Sequence, residues 1–174
     1  MHPLVISKIT KNTPNAVLIS FEVSEKDKET FRFKAGQYLT IETKINEKSV
    51  RRSYSICCNE NGGLQVGIKE VPGGVFSTYA NRSLKESDRL MVAPPEGRFI
   101  FTSSQKPQTL AGFAAGSGIT PIMSILKTAL LNHPENRFHL IYGNKTPEET
   151  MFYEELKTLE AEFGDRLTIQ WAFS

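Results

Sequence analysis

The sequence has little cysteine, little net charge and no long apolar run. Its two cysteines, Cys57 and Cys58, are adjacent, a spacing that suits neither a zinc site nor an iron–sulfur cluster. The formal net charge is +2, and the basic residues are scattered apart from Arg51-Arg52, so we expect no nucleic-acid partner. No segment could span a bilayer, and no signal sequence is present at the N-terminus. These absences favour a cytoplasmic protein with reduced thiols and no membrane partner.

Up to about residue 104, apolar and polar residues alternate in short segments, which predicts β-strands. An Asn61-Gly62-Gly63 turn favours a hairpin between two of them, and one short helix is predicted over 75–81. Strands this close together leave little room for crossover helices, so the pattern predicts an antiparallel barrel or sandwich. The predicted strands cover residues 4–9, 16–23, 37–42, 50–57, 64–70, 88–93 and 98–101.

Beyond a break at residues 103–107, apolar segments alternate with segments of helical periodicity. The segment 109–115 is almost continuously apolar, which is typical of a strand covered on both faces. Further strands are predicted at 137–142 and 167–173, each after a helical segment. The order β-α-β-α-β predicts a parallel sheet with right-handed crossovers. Because a three-stranded sheet of this kind usually continues, we expect the chain to be part of a longer protein.

Each helical segment opens on an N-terminal signal. Thr120 could cap the first helix and Pro121 suits its first position, which predicts a helix over 121–131. Thr146-Pro147-Glu148-Glu149 has the form of a capping box and predicts the start of the second helix. Gly164 stands where a C-terminal cap belongs.

The segment Gly116-Ser117-Gly118-Ile119-Thr120-Pro121 joins the first of these strands to its helix. Glycines let a ligand approach the backbone, and a helix start offers N–H groups and a positive dipole end to a pyrophosphate. The segment differs from the common dinucleotide fingerprint, because Pro121 precedes any third glycine and Asn144 and Lys145 follow the second strand in place of an acidic residue. A plain turn without a ligand is the alternative.

Two further motifs lie in the first half of the chain. In Arg52-Ser53-Tyr54-Ser55, strand alternation places Arg52 and Tyr54 on one face. A guanidinium beside an aromatic ring suits a ligand with a phosphate and a flat ring, although a solvated arginine and a half-buried tyrosine are the alternative. Gly73-Gly74-Val75-Phe76-Ser77 opens the short helix and could cradle a second anion. A simple turn is equally compatible with that segment.

In their order and spacing, these three motifs resemble those of the ferredoxin–NADP reductase superfamily. The chain is most similar to the reductase components of bacterial multicomponent oxygenases, such as the phenylacetyl-CoA epoxidase reductase type. Pro95-Glu96-Gly97-Arg98-Phe99 and Tyr142-Gly143-Asn144-Lys145 extend the resemblance over essentially the whole chain. It implies an antiparallel Greek-key FAD-binding β-barrel over 1–104. It also implies a partial α/β, parallel-sheet NAD(P)-binding domain over 105–174, incomplete at its C-terminus.

The resemblance also implies a flavin oxidoreductase that takes hydride from NAD(P)H and passes electrons to an acceptor protein, either an oxygenase component or a ferredoxin. No acid, base or metal ligand is implied, and a [2Fe–2S] cluster would require a further domain beyond residue 174. Two alternatives stay open: a ferredoxin or flavodoxin reductase without its own cluster, and an inactive fragment. The implied cofactor-binding residues are Arg52, Ser53, Tyr54, Ser55, Gly67, Ile68, Lys69, Gly73, Gly74, Val75, Phe76 and Ser77 for FAD, and Gly116, Gly118, Thr120 and Pro121 for the nicotinamide nucleotide.

Overall fold

The computed structural model describes all residues from Met1 to Ser174 and contains two β-sheets. The strands of the first sheet are β1 (His2–Thr13), β2 (Ala16–Glu22), β3 (Tyr38–Ile45), β4 (Lys48–Ser55), β5 (Leu64–Lys69) and β6 (Arg89–Val92). They are antiparallel and lie in the order β4-β3-β6-β1-β2-β5. The helix α1 (Val75–Arg82) follows β5, as the sequence predicts.

This first sheet curls into a barrel that is not fully closed. Its two edge strands, β4 and β5, are joined only by a bridge between Ile56 and Val66 and by the adjacent Cys57 N–H, which donates to Gln65 O at 2.9 Å. The hairpin predicted around Asn61-Gly62-Gly63 is therefore limited to this short antiparallel pairing. The reason is that β4 forms its ladder with β3, and β5 forms its ladder with β2.

The strand predicted at residues 98–101 is also wrong. This segment is irregular, and Phe99 is 60% exposed. Both edges of the preceding strand β6 are already paired, with β1 and with β3. After β6 the chain stays beside β3 as far as Glu96, which forms an antiparallel bridge with Tyr38. It then leaves the sheet, and Phe101 N–H donates to Ala35 O at 3.0 Å.

The second sheet consists of β7 (Thr109–Ala115), β8 (Arg137–Asn144) and β9 (Leu167–Phe173), parallel and in that order. Its crossover helices are α2 (Ile119–Asn132) and α3 (Tyr153–Phe163). The predicted β-α-β-α-β order is thus confirmed. None of the three helices of the chain has the length and apolar character needed to cross a bilayer.

Only one face of this second sheet is covered. Phe138, Leu140 and Tyr142 of β8 are buried beneath the helices, whereas Phe113 of β7 is 71% exposed on the opposite face. The expectation that 109–115 is covered on both faces is therefore wrong for the described chain. The physical reason is that both right-handed crossovers step in the same direction along the sheet and so place both helices on one face.

The second sheet and its two helices form a unit beside the barrel, which is the first unit. Both of these helices begin at a different residue from the predicted one. A 3-10 turn over Gly116–Gly118 runs into α2, so Thr120 lies inside the helix and Pro121 one residue further in. The Thr120 hydroxyl donates to Ser117 O at 3.1 Å and does not cap the helix. The predicted capping role of Thr120 and the first-position role of Pro121 are therefore wrong.

The capping box at Thr146 forms only in part. Glu149 N–H donates to Thr146 Oγ1 at 3.4 Å, but α3 starts at Tyr153, seven residues after Thr146. Phe152 has a φ of 61° and donates its N–H to Asn12 Oδ1 of the barrel at 3.0 Å. This bond between distant parts of the chain stabilises a non-helical turn at Phe152, which delays the helix.

The two units pack directly against each other through α2. Ser124 Oγ of this helix donates to Cys58 O at 2.6 Å, and Thr128 Oγ1 accepts from Glu60 N–H at 3.3 Å. Ala16 and Leu18 of the barrel belong to the same apolar cluster as the inward face of α2. These contacts determine how the start of α2 faces the barrel.

Candidate functional site

A cavity of about 420 Å³ lies where β4, β5, the start of α1 and the start of α2 meet. Its volume is within the range typical of small-molecule sites, roughly 300–1,000 Å³. It contains residues from all three sequence motifs. The cavity is lined by Arg52, Ser53, Tyr54, Ser55, Gly67, Lys69, Val71, Gly74, Val75, Phe76, Ser77, Ser117 and Thr120.

The cavity has a positive lining. Arg52 and Lys69 are its only charged residues, and no carboxylate lines it. Arg52 is exposed and forms no salt bridge; its Nη1 donates to the carbonyl oxygen of Arg51 at 2.7 Å. Lys69 Nζ donates to Glu149 O at 3.1 Å. Two cations without a local counter-charge favour an anionic ligand such as a pyrophosphate.

Tyr54 gives the cavity a flat aromatic wall. Its ring centroid lies 5.5 Å from that of Phe76, with the two planes inclined by 36°. Burial raises the pKa of Tyr54 to about 12, and the positive charge of Arg52 opposes only part of that shift. The phenol is neutral at physiological pH with either its usual or its raised pKa, and burial keeps it neutral under more basic conditions. A neutral ring of this kind can stack against another flat ring.

The turn before α1 forms a compact cradle of backbone groups. Ser77 Oγ accepts from Val71 N–H at 3.1 Å, and Gly74 N–H donates to Val71 O at 2.8 Å. A Cβ on Gly74 would collide with Ser77 Oγ and crowd Val71 O, so glycine fits this closed turn without displacing Ser77. The N–H groups of Val75, Phe76 and Ser77 donate to no loop or side-chain acceptor, which leaves them free to bind an oxyanion at the helix start.

The second unit approaches the barrel closely at Gly67 of β5. A Cβ on Gly67 would lie 2.8 Å from Met151 Cε and 2.9 Å from Thr120 Cγ2. Neither distance is compatible with van der Waals contact, so the absence of a side chain at Gly67 lets α2 reach the cavity. This contact carries Thr120 and Ser117 to the rim where the three sequence motifs meet.

Most of the residues predicted from the sequence line this single cavity, and five do not. Ile68 is fully buried in the barrel core, where its backbone oxygen accepts from Asn81 Nδ2 at 3.1 Å. The other four flank the lining residues in sequence: Gly73, Gly116, Gly118 and Pro121.

Two lining residues, Val71 and Ser117, are not among those predicted from the sequence. Ser117 lies between two glycines of a predicted motif, so its place in the sequence could have indicated that it lines the site. Val71 precedes the paired glycines as an ordinary apolar residue, and only the turn geometry brings it to the cavity.

Comparison with protein-family models matches residues 3–101 to the oxidoreductase FAD-binding domain and residues 113–174 to the oxidoreductase NAD-binding domain. The chain belongs to the FAD- and NAD-binding oxidoreductases. For this family the cavity has a fitting composition, because cations, a neutral aromatic ring and a glycine cradle that a Cβ would fill all suit a flavin dinucleotide.

Curated members of the family include two that match nearly the whole chain. A 1,2-phenylacetyl-CoA epoxidase subunit from Escherichia coli is 37% identical over 99% of this chain and 49% of its own length. The ferredoxin reductase component of 3-ketosteroid-9-alpha-monooxygenase from Rhodococcus rhodochrous is 31% identical over 95% of this chain and 47% of its own length. The chain thus spans about half the length of these two relatives.

A solved structure shares the fold. The flavohem-like FAD/NAD-binding domain of nitric oxide dioxygenase from Vibrio cholerae O1 biovar El Tor superposes with a TM-score of 0.83. It is 21% identical, and the match covers 99% of this chain and 74% of that one. The barrel followed by a parallel sheet, as predicted from the sequence, is therefore confirmed as the family fold.

Proposed function

We propose that this chain binds FAD in the cavity and brings NAD(P)H against it, so that electrons pass from the nucleotide through FAD to an acceptor protein. One observation carries the proposal. Arg52, Tyr54 and the free N–H groups at the start of α1 converge on one positive cavity that the start of α2 also reaches. The proposal places the FAD-binding unit at 1–104 and the nucleotide-binding unit at 105–174.

The FAD pyrophosphate is assigned to the positive end of the cavity. Arg52 pairs with it through its guanidinium, and the cradle formed by Gly74, Val75, Phe76 and Ser77 donates backbone N–H groups and one hydroxyl. Gly73 shapes the turn with a φ of 73°. Ser77 lies within this cradle and is already oriented by its bonds to Val71 and Gly74.

The isoalloxazine ring is assigned to the face of Tyr54. Ser53 and Ser55 flank this tyrosine in sequence, and Ser55 would be the hydroxyl available to the reactive part of the flavin. Gly67, Ile68 and Lys69 of β5 run past the linker between ring and pyrophosphate, with Ile68 contributing backbone only because its side chain is in the core.

The nicotinamide nucleotide is assigned to the Gly116–Gly118 turn and the first residues of α2. Gly116 and Gly118 leave their surroundings open, since no atom lies within 4 Å of a Cβ built on either. Thr120 reaches the cavity lining and is assigned to the nicotinamide end of the nucleotide, while Pro121 fixes the backbone behind it.

Bound FAD supplies the redox chemistry, because a flavin accepts a hydride and can release electrons singly. The residues of the chain bind and orient the two ligands and exclude water, and no acid or base is required of them. The acceptor proposed is an iron–sulfur centre or an oxygenase partner. This step is supported by the names of the two curated relatives, one from an epoxidase and one a monooxygenase reductase component.

The visible spectrum of the purified chain, titrated with FAD and then mixed anaerobically with NADH or NADPH, tests the proposal. We expect saturable FAD binding with a perturbed flavin band, followed by bleaching of that band by at least one of the two nucleotides. Free FAD with the same nucleotides is the control. A spectrum unchanged from free FAD would overturn the assignment of the cavity, and bound flavin that neither nucleotide bleaches would overturn the assignment of the second unit.

A further inference from the structure

The most buried polar side chain near the glycine turn is Tyr142 of β8. It has no exposed surface, and its single hydroxyl proton is shared between Gly116 O at 2.9 Å and Met151 O at 3.3 Å. Burying a hydroxyl is costly unless it is hydrogen-bonded, so its two acceptors restrict where this ring can lie. Burial also raises the pKa of Tyr142, which keeps the proton on the hydroxyl and the hydroxyl a donor.

On one side, this hydroxyl bonds to the first residue of the nucleotide turn. Gly116 has a φ of 51°, and no side chain other than Tyr142 forms a hydrogen bond with it. The turn is otherwise held by its own backbone, since Ile119 N–H donates to the carbonyls of Gly116 and Ser117. The hydrogen bond from Tyr142 is therefore the only side-chain contact of this kind that anchors the first residue of the open turn.

On the other side, the hydroxyl approaches the segment of residues 146–152, which the barrel anchors at separate points. Glu149 O accepts from Lys69 Nζ at 3.1 Å, and Phe152 N–H donates to Asn12 Oδ1 at 3.0 Å. Met151 is fully buried and its Cε packs at Gly67 of β5. One hydroxyl thus links the nucleotide turn to a segment attached to the wall of the FAD cavity.

We propose that Tyr142 is a positioning residue for hydride transfer, because its hydroxyl holds the Gly116–Gly118 turn at a fixed place relative to the FAD cavity. The inference rests on the proposed function and adds to it a residue that contacts neither ligand. Transfer between two bound rings depends steeply on their separation, and a displacement of about 1 Å can lower the rate roughly a hundredfold. A tie between the two sites therefore affects rate more than affinity.

Tyr142→Phe removes the hydroxyl and keeps the ring, and Tyr79→Phe is its matched control. Tyr79 is a half-buried tyrosine of α1 whose hydroxyl forms no hydrogen bond. For Tyr142→Phe we expect the Kd of the reducing nucleotide to rise about threefold to tenfold, the effect of losing roughly one hydrogen bond. We expect a larger fall in the anaerobic rate constant of flavin reduction at saturating nucleotide. The FAD Kd should stay within about twofold of the parent, and Tyr79→Phe should change none of the three.

The outcomes separate this inference from the function on which it rests. A parent chain that binds no nucleotide would overturn the proposed function and the inference together. A parent that is reduced by nucleotide, with Tyr142→Phe reduced equally fast, would overturn the inference alone. A Tyr142→Phe chain with a lower melting temperature but unchanged rate constant and nucleotide Kd would assign the residue a structural role only, and so would also overturn it.

Hydrogen exchange of the parent chain tests the tie even where Tyr142→Phe does not fold. If the hydroxyl connects the two segments, adding nucleotide to the FAD-loaded chain should slow amide exchange in residues 146–152 as well as in 116–120. Protection confined to 116–120 would contradict the link.

Discussion

A glycine turn precedes each of the helices α1 and α2, and the two turns differ in how completely the protein surrounds them. The turn at Gly73-Gly74 is closed by its own neighbours, because Ser77 Oγ and the carbonyl of Val71 occupy the space that a Cβ on Gly74 would need. The turn at Gly116–Gly118 is open, with no atom within 4 Å of a Cβ built on Gly116 or Gly118. Glycine therefore allows close packing within the first turn, and it leaves open space beside the second.

Under the proposed function, the difference predicts how tightly each ligand is held. A closed cradle beside two cations and a half-buried aromatic ring suits a cofactor that stays bound. An open turn fixed by one tyrosine hydroxyl suits a ligand that arrives and leaves in each cycle. Substitutions should therefore affect FAD affinity strongly at the first turn and leave it unchanged at the second.

The largest effect is expected from Arg52→Ala, which removes the only guanidinium that lines the cavity. A charge-assisted hydrogen bond contributes about 1.5–3 kcal/mol, so the FAD Kd should rise by roughly tenfold to a hundredfold. Flavin fluorescence quenching measures this change. The matched control is Arg51→Ala, because Arg51 is equally exposed, precedes Arg52 on the same strand and does not line the cavity. Equal losses in the two variants would show that general positive charge, and not the cavity, attracts FAD.

Gly74→Ala should give the next largest effect, this time on the fold as well as on binding. The backbone at Gly74, with a φ of −74°, accepts alanine, so any cost arises from the collision with Ser77 Oγ and the crowding at Val71 O. Overpacking of this kind costs about 1–3 kcal/mol. We expect a lower free energy of unfolding in denaturant and weaker FAD binding. An unchanged unfolding curve would show that Ser77 rotates away freely and that the turn is not closed.

The pH titration of Tyr54 tests how far this aromatic wall of the cavity is buried. Its pKa is raised from 10.0 to about 12 by burial, so the folded protein binds the phenolic proton more tightly than the unfolded chain does. The corresponding stability is fully present below pH 10 and is lost as the pH rises towards 12. The ultraviolet phenolate signal of the parent minus that of Tyr54→Phe should have its midpoint near 12. A midpoint near 10 would place the ring in water.

Local patterns predicted the sheets and the motifs, and they failed where a distant contact decides the backbone. The alternation before residue 104 and the helical spacing after it correspond to the barrel and the parallel sheet. The capping box at Thr146 was a sound local signal, yet the helix begins at Tyr153 because Asn12 binds the N–H of Phe152, 140 residues away in sequence. No window of neighbouring residues contains that bond.

The candidate site shows the same division. Arg52, Tyr54 and Gly74 could be selected because their residue types suit a dinucleotide, whatever the fold around them. Tyr142 could not be selected as a support of the glycine turn, since its hydroxyl reaches Gly116 only after β7 and β8 pair in register, with Ala114 opposite Tyr142. Residues that suit a ligand can be recognised in the sequence by their side-chain chemistry. Residues that position them are recognised only from the tertiary packing.

Gly118→Ala should have the smallest effect, and it separates the two turns most cleanly. Gly118 has a φ of −62° and a ψ of −9°, a conformation that alanine adopts without strain. A compatible glycine-to-alanine change stabilises by about 0.4–1 kcal/mol through the unfolded chain, so the melting temperature should stay the same or rise slightly. FAD affinity should not change, because Gly118 does not line the cavity.

The added methyl group of Gly118→Ala would point into the open space that the proposal assigns to the nucleotide. We therefore expect the nucleotide Kd from steady-state titration to rise while the unfolding curve does not move to lower denaturant. Gly74→Ala provides the contrast, because there the same methyl group should lower stability and FAD affinity together. If Gly118→Ala bound nucleotide as tightly as the parent, the ligand would approach the chain elsewhere, and the openness of the second turn would have no functional meaning.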